Sequence, residues 1–171
     1  MGGVTSVFEM PNTNPLTTDA ERLAEKIAAA RDRMFCDFAF YVGGTRENID
    51  DIPSLERLEA SAGIKVFMGS STGNLLVAED DALERIIARL SRRASFHAED
   101  EERLVARMGE RVPGDPKSHP VWRDPTAAVL ATERLIRLAE KHRKRVHVLH
   151  ISTGDEMDIL MHHNARRRAL R

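Results

Sequence analysis

Five short apolar runs, separated by longer segments of helical period, constrain this chain more than any other feature. The runs cover residues 4–10, 38–42, 64–68, 94–97 and 145–151. They are rich in valine, isoleucine and phenylalanine, which suit a pleated, buried strand. Residues 19–33 place Leu23, Ile27 and Ala30 on one helical face, and residues 82–90 do the same with Leu83, Ile86, Ile87 and Leu90. Thr18 or Asp19 can cap the first of these helices, with Glu21 and Glu25 toward its N-terminal end. Pro125 and Thr126 open another, which closes on Lys141-His142-Arg143-Lys144. Strands alternating with helices pack as parallel strands joined by right-handed crossovers, in a doubly wound open sheet or a (β/α)8 barrel.

The loops separate these two folds. Gly2-Gly3 precedes the first strand, Gly43-Gly44 has no third glycine, and the Gly69 to Gly73 stretch is not followed by lysine. No nucleotide-cradling loop is therefore predicted. The unusual polar residues fall instead at the C-terminal ends of strands, where barrels carry their chemistry. The predicted fold is α/β, a partial (β/α)8 barrel of about five strand-helix units over residues 1–160. Residues 161–171 are read as a basic tail, truncated or frame-shifted, and the run Arg166-Arg167-Arg168 as solvated rather than phosphate-binding.

Composition narrows the function classes. A chain of 171 residues is long enough for a core, since about 150 residues bury roughly 70% of their unfolded surface. Its 42% hydrophobic and 31% charged residues, with a formal net charge of -1, call for neither nucleic acid nor a membrane. No apolar run approaches the roughly 20 residues that span a bilayer, and no signal segment opens the chain. Cys36 is the only cysteine, which excludes an internal disulfide and a thiolate zinc cluster and fits a cytoplasmic setting.

Four positions could carry chemistry. Asn12, in Met10-Pro11-Asn12-Thr13-Asn14-Pro15, offers a ligand both a donor and an acceptor, although asparagine and proline also make plain turns. Lys65 lies inside an apolar strand, where it either snorkels to water or loses its charge and becomes nucleophilic enough to add carbon dioxide. His97 ends its strand ahead of Ala98-Glu99-Asp100-Glu101-Glu102, either as a metal ligand with carboxylates behind it or as a structural histidine before an acidic first turn. His147 and His150 are three residues apart on one predicted strand and should point to opposite faces. His150, nearer the strand end, is the candidate ligand, and His147 is read as a packing residue or an outer partner of a ligand. His162-His163 is read as a surface pair.

In order and spacing, several segments resemble the dihydroorotases of the amidohydrolase superfamily. These are Gly2-Gly3-Val4-Thr5-Ser6-Val7 through Met10-Pro11-Asn12-Thr13-Asn14-Pro15, Lys65-Val66-Phe67-Met68-Gly69, His97-Ala98-Glu99-Asp100 and His150-Ile151-Ser152-Thr153. The likeness reaches to about Leu160, and hydantoinases and allantoinases share the lysine and histidine pattern. The resemblance implies a barrel with two zinc ions, in which Lys65 is the carbamylated, metal-bridging lysine, His97 and His150 bind the second metal, and Asn12 contacts the substrate. It also implies the ring opening or closing of dihydroorotate in pyrimidine synthesis, with zinc activating water and an aspartate moving the proton.

The family's His-x-His pair and its late aspartate have no match here. The chain is therefore expected to be an internal fragment with little activity of its own, with open sheet edges and marginal stability or self-association. Expected partners are a small cyclic amide and either a second copy or aspartate transcarbamoylase. Two other readings remain: an allantoinase or dihydropyrimidinase-type hydrolase, and a non-catalytic dihydroorotase-like scaffold for aspartate transcarbamoylase.

Overall fold

A computed structural model describes residues 2–71 and 74–169. In chain order the elements are β1 (Ser6–Glu9), α1 (Ala20–Ala30), β2 (Asp37–Gly43), α2 (Ile52–Leu55), β3 (Ser61–Phe67), α3 (Asp80–Arg89), β4 (Ala94–His97), α4 (Glu101–Ala106), α5 (His119–Trp122), α6 (Pro125–Lys141), β5 (Val146–Val148) and α7 (Gly154–Ala169). The strands form one parallel sheet in the order β1-β2-β3-β4-β5. A doubly wound sheet would reverse its strand order at a switch point. Strictly consecutive parallel pairing is instead the order of a (β/α)8 barrel, and these five strands form a curled part of one.

Local sequence explains the elements. Asp19 caps α1, its carboxylate accepting from the Arg22 N–H at 2.8 Å. Asp100 and Asp124 cap α4 and α6 in the same way. The acidic run after His97 is thus largely an ordinary first turn. The periodic residues Leu83, Ile86, Ile87 and Leu90 form one core cluster with Val42, Ile64, Val66, Phe96 and Leu135. Fully burying side chains of this kind contributes roughly 1.5–3 kcal/mol each. Strand alternation turns Lys65 and Phe67 to the opposite face from Ile64, Val66 and Met68.

Several boundaries differ from the predicted ones. β3 starts at Ser61 because the pairing shifts register between Phe40 and Tyr41, with Gly63 at φ +120. β5 ends at Val148, since His150 lies at φ 39 in the left-handed region. His162 and His163 sit on α7, where the His163 ring meets the Glu140 carboxylate at 3.0 Å. α7 runs through residue 161 without a break, and residues 170 and 171 of the basic run lie outside the described residues.

Glu56 anchors the N-terminal end of β4. It is fully buried and accepts from Ser91 N at 2.9 Å, from Ser91 Oγ and from Arg92 N, while Arg92 Nη1 donates to the Glu56 carbonyl at 2.7 Å. Glu56→Ala keeps the carbonyl but would leave Ser91 N, Ser91 Oγ and Arg92 N without this partner, and is expected to cost about 3 kcal/mol in urea unfolding at pH 7. A loss below about 1 kcal/mol, the size of an ordinary surface change, would contradict this.

Candidate metal centre

β3 and β4 carry the site on the sheet face opposite the main helix-packed core. Their register aligns Lys65 with Ser95 and Phe67 with His97, so the four side chains share one face. Lys65 does not snorkel. It is 2% exposed, donates to the Val66 carbonyl at 3.0 Å, and holds its ammonium 3.8 Å from the Phe67 ring centroid. Burial with no carboxylate partner pushes its pKa down to about 7, so a large share of the amine is neutral at physiological pH.

His97 is buried at the C-terminal end of β4, and its Nδ1 lies 2.9 Å from His150 Nε2. The two rings meet edge to face at 4.9 Å. His150 reaches this position by leaving the strand: Leu149 N still pairs with the Phe96 carbonyl, and the left-handed turn at His150 then brings its ring over. This corrects the expectation that His147 and His150 face opposite ways. Alternation no longer holds past Val148, and the register of His147 with Ser95 puts it on the face of Lys65. Burial lowers the His150 pKa, with the His97 and Lys65 charges adding to it, which favours a neutral ring with a free lone pair.

His97 Nε2 faces the Glu99 carboxylate at 2.9 Å, although ring and carboxylate are not aligned for a hydrogen bond and the nitrogen is otherwise without a partner. The Glu99 oxygen is also paired with Arg123. Burial raises the Glu99 carboxyl, but the His97 contact and the Arg123 charge outweigh it and hold the group below the usual carboxylate range. His97, Glu99, Arg123 and His150 line a cavity of about 560 Å³ together with Arg111, His119 and Trp122. Asn12 is half-buried in the loop after β1, at the same end of the sheet but outside the lining of this cavity.

Glu99 and Arg123 were not singled out from the sequence. Glu99 was hidden in an acidic run that reads as a helix start, and Arg123 lies 24 residues away behind a segment of short helices. Among the described residues no cluster of three or more His, Cys, Asp or Glu side chains could hold a metal. The donors that converge are two imidazole nitrogens, with a buried and readily neutralised lysine on the same face. That set suits part of a metal site.

The structure overlays on L-hydantoinase (dihydropyrimidinase) from Arthrobacter aurescens with a TM-score of 0.86 and 26% identity, over 96% of this chain and 38% of that one. A D-hydantoinase matches in fold with a TM-score of 0.82 at 21% identity. The five strands are thus a stretch of a hydantoinase-like amidohydrolase barrel. By sequence, the dihydroorotase of Methanosarcina mazei is 34% identical over 167 residues, which cover 93% of this chain and 35% of the relative. The dihydroorotase of Pyrococcus furiosus is 30% identical, and the L-hydantoinase of Paenarthrobacter aurescens 29% identical, over 94% of the chain in each case. The chain is a relative of the dihydroorotases and hydantoinases, and it spans about a third of the length of those it matches. No protein-family model matches it.

Proposed function

We propose that these residues form part of the catalytic barrel of a metal-dependent cyclic-amide hydrolase that interconverts dihydroorotate and N-carbamoyl-aspartate in pyrimidine synthesis. The observation that carries this reading is the approach of His97 Nδ1 and His150 Nε2 to 2.9 Å. Lys65, buried and with its pKa pushed down to about 7, supports it. The neutral Lys65 amine attacks carbon dioxide, an N–C bond forms, one proton leaves, and the carbamate presents two oxygens. His97 and His150 would hold zinc through the facing nitrogens, and Asn12 would contact the substrate from the β1 loop. Zinc, when bound, would supply Lewis acidity and a water that ionises near neutral pH. The likeness to L-hydantoinase favours a second reading in which the ring is a hydantoin or dihydropyrimidine.

Zinc titration of the purified chain in bicarbonate buffer, with hydrolysis of dihydroorotate, hydantoin and allantoin followed in parallel, tests both readings. Saturable zinc binding is expected. Hydrolysis by these 171 residues alone is expected to run orders of magnitude below that of a full-length relative, because the donor set found here is only partial. Absence of saturable zinc binding by the folded chain would overturn the metal-site reading. Hydantoin hydrolysis exceeding that of dihydroorotate would select the second substrate class.

A further inference from the structure

We propose that Arg123 is a positioning residue that acts on His97 through Glu99, fixing which imidazole nitrogen carries the proton. The effect on metal binding rests on the proposed function, but the proton placement does not. Glu99 is held on several sides. Arg123 pairs with its carboxylate, donates through Nη2 to the Ser70 carbonyl at 2.5 Å, and lies 4.6 Å from the Trp122 ring centroid. Ser70 is itself fixed, its N–H and hydroxyl donating to the Glu101 carboxylate at 2.6 and 2.5 Å. The β3 loop runs so close to Glu99 that a Cβ on Gly69 would lie 2.7 Å from the Glu99 carbonyl oxygen and 2.9 Å from its Cβ. Next to Arg123 in sequence, Asp124 caps α6 and pairs with Arg103, which ties down the backbone that delivers the guanidinium.

This frame sets a carboxylate oxygen 2.9 Å from His97 Nε2. A lone pair on that nitrogen would face negative charge, whereas a proton there is attracted even at a bent angle. The neutral ring therefore keeps its proton on Nε2, and its lone pair falls on Nδ1, the nitrogen 2.9 Å from His150. Arg123 makes this placement durable, because with its charge removed Glu99 is no longer held at the His97 edge. A purely structural ion pair would stabilise the fold without influencing the imidazole proton.

Long-range ¹⁵N–¹H NMR of the metal-free chain reads the His97 tautomer directly. The wild type is expected to show the Nε2–H form. Arg123→Met is expected to yield a tautomer mixture, Glu99→Gln to move the proton toward Nδ1, and Arg123→Lys, which keeps the charge, to restore the wild-type form. Zinc affinity should fall roughly 10- to 100-fold in Arg123→Met and recover in Arg123→Lys, the range for outer-sphere partners of metal-bound histidines. An unchanged tautomer in either Arg123→Met or Glu99→Gln overturns the proposal, and should Arg123→Met fail to fold, Arg123→Gln takes its place. If the wild type binds no zinc while the tautomer shifts as expected, the metal reading falls and the positioning role stands.

Discussion

Lys65→Met is expected to stabilise the chain while removing the amine on which the proposed metal chemistry depends. Lys65 is 2% exposed and its pKa falls from 10.5 to about 7 through burial. The folded state binds its proton more weakly than the unfolded state, so stability rises as pH climbs from about 7 toward 10.5 and is lowest below 7. At low pH the buried charge costs on the order of 5 kcal/mol. The contact with the Phe67 ring offsets roughly 1 to 2 kcal/mol of this. Methionine fills a similar volume without the charge. At pH 6 the variant should therefore be more stable by roughly 3 kcal/mol, with the advantage shrinking to near zero by pH 10.5. Urea unfolding at pH 6, 8 and 10 reads this directly. A variant no more stable than wild type at pH 6 would mean that Lys65 is not held at the expense of stability. Retention of an expensive group is a mark of function, and the same substitution deletes the amine that would add carbon dioxide.

The second large effect is on metal affinity. His97→Ala and His150→Ala are each expected to lower zinc affinity by about 100-fold or more, near 3 kcal/mol, while the double variant loses little beyond either single one. Two donors that face one another at 2.9 Å act as a unit, and removing one leaves the other unable to hold the ion by itself. Competition with a chromophoric chelator measures each constant. Additive losses would instead place the two rings at separate sites.

Much of this arrangement could be read from the sequence, and the exceptions have physical causes. The five strands and the helices α1, α3 and α6 were legible because burial imposes a period on residues such as Leu23, Leu83 and Ile86. The segment between α4 and α6 was not. Pro113, Gly114, Pro116 and Pro120 interrupt any period there, and the turn is held by local bonds such as Asp115 accepting from Lys117 N and Ser118 Oγ donating to the Asp115 carbonyl. Lys65 and His97 could be located because a charged or polar residue in an apolar strand stands out against its neighbours. The way His150 meets His97 could not be foreseen, because it depends on a single left-handed residue that breaks strand alternation. Glu99 stands in the acidic run behind His97, but its pairing with Arg123, 24 residues away, has no local mark.

Lys65, His97 and His150 are proposed to belong to one metal centre. The most direct test is ¹³C NMR of the chain equilibrated with zinc and ¹³C-bicarbonate. A lysine carbamate resonance is expected that is absent in Lys65→Met, weakened in His97→Ala and His150→Ala, and lost when zinc is chelated. A folded wild-type chain that shows no carbamate resonance, or one that survives Lys65→Met, would contradict it.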